Sequence, residues 1–368
     1  MMDKKRLVLF QPFIGPYRID FTNDLSEAFD ARIYMKYPRS DDQAFKQNEL
    51  SVHLKYTPRY LPEGSVFKRL IALRDELVSF NPDIIVTFEY DIITLFILLW
   101  RWLGRRRFKV VGMSDDSFDM LNGNDFTRKH KYARDLLARH LDNIILVEPQ
   151  SVEWYRKKFG KGFFFPIIRD EDVVREMYAT SLPSVDAVRR EYDLDSQNVF
   201  LFVGRLVELK NINSLIRAFS RLDQNGNKLV IVGDGPEKAK LKQLCRERGV
   251  NCLFTGRKEG ESLHVWYHIA DTLVLPSIQE AFGAVTNEAL MAGCHAVVSR
   301  RAGSKCLVKE GENGFIINPL DEDDIYDKLL KSIDLPRTGN PLIGMRKNLM
   351  IYSYKELFSE LCDMLYSA

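Results

Sequence analysis

Short runs of β-branched and other apolar residues recur along the chain, and they alternate with segments whose apolar residues are spaced for one face of a helix. This alternation predicts strands joined by crossover helices, and hence parallel sheets in a doubly wound α/β architecture. Ten strands are too many for one domain of ordinary size, so the pattern favours two Rossmann-like domains. The predicted strands are Arg6–Gln11, Ala31–Met35, Ile84–Phe88, Lys109–Met113, Asn143–Val147, Val199–Val203, Lys228–Val232, Asn251–Phe254, Thr272–Leu275 and Ala296–Ser299.

The break between the two series of strands predicts the domain boundary. The stretch 165–184 contains Pro166 and Pro183 and precedes the fresh strand at Val199. We therefore expect an N-terminal domain over residues 1–170 and a C-terminal domain over residues 171–344. The last segment, 345–368, has helical spacing of its apolar residues and predicts a C-terminal helix.

Composition is that of a soluble globular protein: 45% of the 368 residues are apolar, 28% are charged, and the net charge is +2. Residues 1–170 carry 28 Lys and Arg against 23 Asp and Glu, a balance of +5, which leaves 25 against 28, or −3, for the rest. The basic half would suit an anionic membrane or acceptor, whereas nucleic acid is not an expected partner. Five cysteines without a C-x-x-C spacing, and an N-terminus without a signal-peptide pattern, favour the cytoplasm.

One apolar segment, Ile92–Leu103, raises the question of a membrane because it is followed by Arg105, Arg106 and Arg107. It is far shorter than the roughly 20 residues that span a bilayer. Two interpretations remain open. The segment is a buried helix of the α/β domain, or its tryptophans and the arginine cluster lie on the inner face of a membrane as a peripheral contact through residues 92–107.

A charged turn follows the strand Val199–Val203. Gly204 and Arg205 end this strand, and Lys210 comes just before a helical pattern. Strand-to-helix turns of parallel sheets favour anions, because the N–H groups at the start of the helix are free. Arg205 offers a planar fork of donors and Lys210 a point charge, which together suit a diphosphate. The alternative is an ordinary surface ion pair with Glu208.

A second turn, Gly233-Asp234-Gly235-Pro236, follows the strand Lys228–Val232. Two glycines and a helix-starting proline indicate a tight turn at the carboxyl edge of the sheet. It either contributes to a ligand site or serves only the chain's change of direction.

The loop between Pro276 and Glu288 has the strongest pattern of the chain. A strand ends at Pro276, and a helix is predicted from about Ala284 to Ala292, so Glu280 lies in the loop and Glu288 in the helix. The intervening N–H groups form an anion nest, and a carboxylate on either side can accept hydrogen bonds from hydroxyl groups. The alternatives are the acid and base of a glycosidase, or two solvated glutamates.

Ordered motifs over residues 199–320 resemble the donor-binding domain of the retaining glycosyltransferases of family 4, which have the GT-B fold. The motifs are V-G-R-L-x-x-x-K at Val203–Lys210, V-G-D-G-P at Val232–Pro236, F-T-G at Phe254–Gly256, A-D-T-L-V-L-P-S at Ala270–Ser277, E-x7-E from Glu280 to Glu288, E-A-L-M-A-G at Glu288–Gly293 and G-E-N-G-F at Gly311–Phe315. The resemblance implies two Rossmann-like domains that face a central cleft, with the C-terminal helix crossing back onto the N-terminal domain.

The resemblance also assigns roles to residues. Arg205, Lys210 and Glu280 become the catalytic set, in which the two cations hold the donor diphosphate and Glu280 contacts the transferred sugar. Glu288 is expected on the ribose, and Arg257 beside the base. The further residues expected to bind the donor are Gly15, Gly204, Gly233, Gly256, Phe282, Gly283, Ala284 and Val285. Transfer is expected with retention, and without a metal or another cofactor, because cations of the protein meet the charge of the diphosphate.

The N-terminal half resembles the family less closely. The loop Gln11–Arg18 is similar to a P-x-Y-R variant of a loop that faces donor and acceptor, which makes Gly15 and Arg18 candidates. Many relatives have a histidine after the fourth strand, where this chain has Asp115 and Asp116, so these two become candidates on the acceptor side. A metal site at His264 and His268 is a weaker alternative because no third ligand is near. One at Asp115, Asp116 and Asp119 resembles an acidic motif of GT-A enzymes, and the surrounding domain does not fit that fold.

The sequence therefore predicts a retaining glycosyltransferase that moves a sugar from a nucleotide-sugar donor to a hydroxyl of a glycan or lipid-linked acceptor. Surface polysaccharide biosynthesis is the expected setting. Two alternatives stay open: a GT-B epimerase or phosphorylase, and a non-catalytic nucleotide-sugar-binding partner subunit.

Overall fold

The computed structural model describes residues 4–37, 47–61, 64–123 and 126–367. The chain divides into two compact units. Unit 1 consists of Met1–Asp116, Leu121–Arg169 and Tyr354–Ala368, and unit 2 of Ser117–Met120 and Asp170–Ser353. The acceptor-binding and donor-binding roles that the resemblance gives to the two domains stay predictions.

Unit 1 is built on a seven-stranded parallel sheet. Its strands are β1 (Arg6–Gln11), β2 (Asp30–Met35), β3 (Arg59–Tyr60), β4 (Ile84–Phe88), β5 (Lys109–Ser114), β6 (Asn143–Leu146) and β7 (Phe163–Phe164), in the order β3-β2-β1-β4-β5-β6-β7. The helices up to residue 160 are α1 (Ile19–Ala28), α2 (Gln47–Ser51), α3 (Val66–Phe80), α4 (Ile92–Leu103), α5 (Phe118–Gly123), α6 (Arg128–Leu137) and α7 (Pro149–Phe159).

Unit 2 is built on a six-stranded parallel sheet. Its strands are β8 (Asn198–Val203), β9 (Asn227–Val232), β10 (Cys252–Gly256), β11 (Thr272–Leu275), β12 (His295–Ser299) and β13 (Gly314–Ile317), in the order β10-β9-β8-β11-β12-β13. Its helices are α8 (Glu171–Ser181), α9 (Val185–Glu191), α10 (Ile212–Phe219), α11 (Lys238–Arg248), α12 (Glu261–Ile269), α13 (Val285–Met291) and α14 (Glu322–Ile333). The last helix, α15 (Tyr354–Ser367), belongs to unit 1.

The predicted doubly wound architecture is confirmed, and all ten predicted strands are present with shifts of one or two residues at their ends. The central strands β4, β11 and β12 are buried along their whole length, because helices cover both faces of each sheet. The short strands β3, β7 and β13 were not predicted.

Helix starts follow the capping residues. Asp91 accepts hydrogen bonds from the N–H groups of Ile93 and Thr94, so α4 begins where the apolar pattern predicted it. The C-terminal helix begins at Tyr354 and not at Met345, which corrects the predicted extent. The reason is Arg346, whose buried guanidinium donates to backbone carbonyls of unit 2 and holds this stretch as a loop. Among the described residues, no helix combines the length and apolar character that crossing a membrane requires.

Candidate functional site

Three turns lie side by side at the carboxyl edge of the unit 2 sheet. Gly204 N–H donates to Val232 O (3.0 Å), and Gly233 N–H donates to Gly256 O (2.9 Å). A Cβ atom on Gly233 would lie 1.9 Å from Gly204 O. Packing between turns therefore explains Gly233, whereas its contact with a donor stays a prediction.

Lys210 and Glu280 form an ion pair across the centre of this edge, and both side chains are largely buried. Lys210 ends a 3-10 helix after β8, and Glu280 follows β11. These two strands are neighbours in the sheet, and the chain reverses its direction of winding between them. Such a reversal opens a crevice at the carboxyl edge, which is where parallel sheets bind ligands. The two predicted catalytic residues are thus brought together.

Two further contacts hold this pair in place. Ser277 Oγ donates to the same Glu280 carboxylate oxygen at 3.2 Å. Asn211, directly after Lys210, has a left-handed backbone (φ +54°), and its buried amide donates to Pro319 O at 2.6 Å. The turn that carries Lys210 is therefore anchored to a distant loop and presents a fixed positive charge.

The loop from Glu280 to α13 exposes backbone donors. Gly283 has φ +94°, and a Cβ atom there would lie 2.5 Å from Leu275 Cδ2, so only glycine fits. Within the part of the chain that the structure describes, the N–H groups of Gly283, Ala284 and Val285 donate to no protein acceptor. Adjacent free donors beside Lys210 and Glu280 are an arrangement that favours an anion.

Glu288 lies on α13, and its carboxylate is oriented by a tyrosine that the sequence analysis did not single out. Tyr267 Oη donates to Glu288 Oε2 at 2.6 Å, and the ring of Tyr267 is fully buried on α12. Burial and the neighbouring Glu288 charge raise the pKa of Tyr267 well above its usual value, so it remains a donor. Tyr267 is therefore a positioning residue for Glu288.

We expect Tyr267→Phe to weaken donor binding by about tenfold, because a hydrogen bond to a charged group contributes about 1.5–3 kcal/mol and only part of it reaches the ligand. The loss should appear as a higher donor Kd, with little change in turnover at saturation. Calorimetric titration with the donor's nucleoside diphosphate, and with its form lacking the ribose hydroxyls, measures it. The difference between wild type and variant should vanish for the second ligand.

Tyr178→Phe is the matched control, because Tyr178 is also buried but donates to the backbone carbonyl of Glu288. It should not produce a ribose-dependent loss. If both variants weaken both ligands equally, Tyr267 has only a structural role.

Arg205 and Arg257 lie in the turns after β8 and β10. Arg205 is exposed and follows β8 directly, one residue after Gly204. Arg257 follows β10, and its Nε lies 2.7 Å from Glu259 Oε1. Gly256 before it has φ +75° with open space around it, so its backbone conformation favours glycine. Their assignments to diphosphate and base stay predictions.

In unit 1, Arg18 and Asp115 are brought together. Arg18 Nη2 lies 2.6 Å from Asp115 Oδ1, and the arginine is buried. Burial raises the pKa of Asp115, and the Arg18 charge opposes the rise. Gly15 begins the 3-10 turn Pro16–Arg18, and its carbonyl accepts from Arg18 N–H. This loop thus places Arg18 over the carboxyl end of β5.

Asp116 faces the interior of unit 1. Tyr155 Oη donates to Asp116 Oδ2 at 3.1 Å, and Ser151 Oγ donates to Asp116 O at 2.9 Å. Burial is also the main reason why the pKa of Asp116 is raised. Of the two acidic candidates, Asp115 is therefore the better placed for an acceptor, and Asp116 supports the fold beneath it.

Glu89 is an acidic residue of this edge that the sequence analysis missed. It follows β4, on the far side of the reversal point from β1, and its backbone is left-handed (φ +62°). Such a conformation costs a residue with a side chain about 1–3 kcal/mol and is found at functional positions. Solvent still reaches Glu89, while desolvation by the surrounding protein, followed by the charges of Asp116 and Asp115, raises its pKa to about 7.

The histidines of α12 serve the core of unit 2. His268 Nε2 lies 3.0 Å from Tyr178 O, and burial lowers the pKa of His268 to about 4. Among the described residues, no group of three or more potential metal ligands is close enough to hold a metal ion.

Comparison with known proteins identifies a family domain in the second half of the chain. Residues 185–355 match the sequence model of the family described as Glycosyl transferases group 1, so the chain contains a domain of that kind. Over 134 residues it is 40% identical to an uncharacterized glycosyltransferase of Methanocaldococcus jannaschii, covering 36% of this chain and 34% of that protein. Over 162 residues it is 31% identical to a lipopolysaccharide 1,2-N-acetylglucosaminetransferase of Salmonella typhimurium, covering 40% and 42%. The chain thus spans about a third to two fifths of the length of these curated relatives.

The whole chain is similar to a solved structure. The Anabaena protein HepE in complex with UDP aligns over 99% of this chain and all of that one, with a TM-score of 0.78 and 17% identity. At this identity the likeness concerns the fold, and the predicted GT-B fold is confirmed.

Proposed function

We propose, from the glycosyl transferases group 1 domain at residues 185–355, that this protein is a retaining glycosyltransferase of family 4. It moves a sugar from a nucleotide-sugar donor to a hydroxyl of a glycan or lipid-linked acceptor. One observation carries the proposal: the Lys210–Glu280 pair at the reversal point of the sheet, beside the free N–H groups of residues 283–285.

The donor's chemistry explains why these groups stand together. When the bond from the sugar to the diphosphate breaks, negative charge grows on the diphosphate. Lys210 and Arg205 meet that charge, and the loop amides add dipoles that need no reorganisation. Glu280 accepts hydrogen bonds from sugar hydroxyls, and Glu288 from the ribose. The leaving diphosphate assists the acceptor hydroxyl on the same face of the sugar, which gives retention without a metal or another cofactor.

A donor panel tests the proposal. Thermal stability is measured with UDP-, GDP- and ADP-sugars, because a ligand that binds only the folded state stabilises it by RT ln(1 + [L]/Kd). At 100 times Kd the gain is about 2.7 kcal/mol. Stabilisation by one class, with release of its nucleoside diphosphate on addition of an acceptor, is the expected result. Binding without release would identify a non-catalytic partner subunit, and stabilisation by none would refute donor binding.

On the acceptor side, we assign Glu89 to the acceptor hydroxyl. This hydroxyl donates a hydrogen bond to the Glu89 carboxylate. Because its pKa is raised to about 7, the carboxylate form grows as the pH rises through 7. We expect kcat/KM for the acceptor to rise about tenfold per pH unit below 7 and to level above it, since each unit below the pKa reduces the ionised fraction tenfold. Glu89→Gln should lower the plateau and remove this limb from the pH profile.

Donor binding provides the control for Glu89. The Kd of the nucleoside diphosphate should be the same in wild type and Glu89→Gln, because apart from Gly15 the predicted donor contacts all belong to unit 2. A pH limb near 7 that persists in the variant would assign the titration to another group.

A peripheral contact with the inner face of a membrane fits the exposed side of α4, while the other side of this helix is buried. Ile93, Ile97 and Leu98 pack into the unit 1 core, while Trp102 is 75% exposed and Leu103 is exposed beside it. The arginines at 105–107 are exposed as well. The buried-helix interpretation therefore holds for one side of α4, and the exposed residues of the other side support the proposed membrane contact.

We expect the protein to co-sediment with anionic vesicles at low salt, and Trp102→Ala to reduce the bound fraction severalfold through lost interfacial apolar contact. Vesicles of neutral lipid are the control. Equal recovery of wild type and variant with both vesicle types would remove the membrane contact from the proposal.

The proposed setting in surface polysaccharide biosynthesis draws support from the lipopolysaccharide enzyme among the relatives.

A further inference from the structure

A groove opens between the first turns of α3 and α4, at the carboxyl edge of the unit 1 sheet. It encloses about 520 Å³ of empty space, part of it open to solvent. Its floor is formed by Leu73 and Ile93, which belong to the unit 1 core. Most of the lining is aliphatic and comes from Leu61, Val66, Leu70, Leu73, Ile92 and Ile93. An aliphatic groove of this kind binds apolar ligands, because water gains little from wetting it.

Two cations and the carboxylate of Asp91 also line the groove. Lys36 lines it, with its Nζ 2.6 Å from Asp91 Oδ2, and only 8% of its side chain is exposed. Arg69 lines it too, and within the described ranges its buried Nε finds no hydrogen-bond acceptor. A buried guanidinium donor without a partner is costly, and a ligand that carries an anionic oxygen would satisfy it.

Exposed apolar residues border the groove. Val66 is 56% exposed and Ile92 is 51% exposed, and they are the first residues of α3 and α4. Phe67, next to Val66, is also exposed. Scattered exposed apolar residues are ordinary, but these three adjoin one aliphatic groove. The groove therefore combines an aliphatic lining with two cationic side chains, the combination that an anionic amphipathic ligand requires.

We propose that this groove binds the alkyl or polyprenyl chain of an acceptor lipid, with Arg69 and Lys36 facing the phosphate at its head. The inference rests on the proposed function, because only a glycosyltransferase would use the bound lipid as an acceptor. Lys36 links the groove to the acceptor edge, because its Nζ also donates to Phe88 O (2.5 Å) at the end of β4, directly before Glu89. The lipid's chain would thus lie along α3 and α4, while the group beyond the phosphate reaches the carboxyl ends of the strands.

Chain length provides the first test. Alkyl phosphates of increasing length, below their critical micelle concentrations, are titrated calorimetrically into the full chain, with inorganic phosphate as the chain-free member. Each methylene that leaves water should raise the affinity about fourfold until the groove is filled. Affinity that does not depend on chain length, or inorganic phosphate that binds as tightly, would overturn the proposal.

Two variants locate the binding. Val66→Asp and Ile92→Asp remove aliphatic lining but place a carboxylate in the first turn of a helix, where the helix dipole favours it, so the fold is retained. Each should reduce the affinity for a long alkyl phosphate at least tenfold. Val173→Asp is the matched control, since Val173 is 42% exposed in the first turn of α8. Equal losses in all three, or none in the groove variants, would exclude the groove.

The variant Arg69→Gln distinguishes binding of the phosphate head from binding of the alkyl chain. This variant should weaken a long alkyl phosphate about tenfold and leave the neutral alkyl alcohol of the same length unchanged. Equal weakening of both ligands would contradict the placement of the phosphate.

Donor-induced thermal stabilisation in the same variants separates this inference from the proposed function. The groove variants should keep it, and transfer to a lipid-linked acceptor should fall in them. If no donor stabilises even the wild type, the proposed function fails while the alkyl phosphate series still tests the groove. If transfer to the lipid-linked acceptor persists unchanged in variants that no longer bind alkyl phosphate, the groove does not hold the acceptor.

Discussion

Lys210→Ala should lower kcat by a factor of about 10²–10³, while the donor Kd changes by less than about tenfold. Removing one donor that meets charge in a transition state costs about 2.7–4 kcal/mol. Lys210 is suited to that role because Asn211 and the neighbouring loops fix its turn, and its side chain is largely buried. The sugar diphosphate gains a further negative charge as it leaves, so a fixed cation contributes more to the transition state than to the bound donor.

Glu280 complicates the measurement, because the variant removes Lys210 from its carboxylate while Ser277 Oγ still donates to the same oxygen. An unpaired carboxylate near a diphosphate would weaken donor binding. The double variant Lys210→Ala with Glu280→Gln separates the two effects: it should recover donor affinity but not turnover. Single-turnover rates and donor titrations measure both quantities.

Lys240→Ala is the matched control, since Lys240 belongs to unit 2 but is exposed and pairs with Glu237 on the surface. It should leave both kcat and Kd within twofold of wild type. Equal losses of turnover and of donor affinity in Lys210→Ala would show that Lys210 binds the donor uniformly, which contradicts its catalytic assignment.

The sheet architecture could be predicted from the sequence because buried parallel strands leave a strong pattern. Strands such as β4 are apolar at nearly every position, and helical spacing separates them. The strands β3 and β7 have two residues each, too few for any periodicity, and they lie at the sheet edges. Short edge strands are defined by the partner they pair with, and the sequence pattern does not contain that pairing.

The candidate site was predicted in part for a similar reason. Lys210 and Glu280 each follow a strand, so the carboxyl edge could be predicted for both. Their direct pairing depends on β8 and β11 being neighbours, although two strands separate them along the chain. Tyr267 occupies an apolar position of a helical pattern, and nothing local indicates that its hydroxyl reaches Glu288. Glu89 could have been predicted as a candidate from one feature of the sequence, its position directly after β4.

Arg346→Met should destabilise unit 2 by about 3–5 kcal/mol. The Arg346 guanidinium is 5% exposed and donates to three carbonyls, at 2.6 Å to Tyr267 O, 2.7 Å to Ala270 O and 3.1 Å to Ala292 O. Methionine fills the volume but removes the charged donor from all three carbonyls, and only the weak thiol donor of Cys294 still reaches Tyr267 O and Ala270 O. Each poorly satisfied group costs about 1–3 kcal/mol, offset in part by the release of a buried charge. Urea-dependent hydrogen exchange of α12 and β11 amides measures the loss for unit 2 alone.

Arg337→Met is the control for this loss, because Arg337 is exposed and its Nη2 lies 3.4 Å from Asn198 Oδ1. It should stay within about 0.5 kcal/mol of wild type, as exposed substitutions do. Arg346→Lys keeps the charge but lacks the fork that reaches three carbonyls, so an intermediate loss is expected. A loss below about 1 kcal/mol for Arg346→Met would mean that water or rearranged backbone satisfies the carbonyls.

The same variant should also reach the donor site through Tyr267. The carbonyl of Tyr267 accepts from Arg346, and its hydroxyl donates to Glu288, so one residue joins the buried loop to the carboxylate expected on the ribose. Loss of the guanidinium frees the end of α12 and loosens the tyrosine that orients Glu288. We therefore expect Arg346→Lys, which should remain folded, to raise the Kd of a nucleoside diphosphate severalfold and to leave that of its form without ribose hydroxyls unchanged. Equal effects on both ligands would restrict Arg346 to stability.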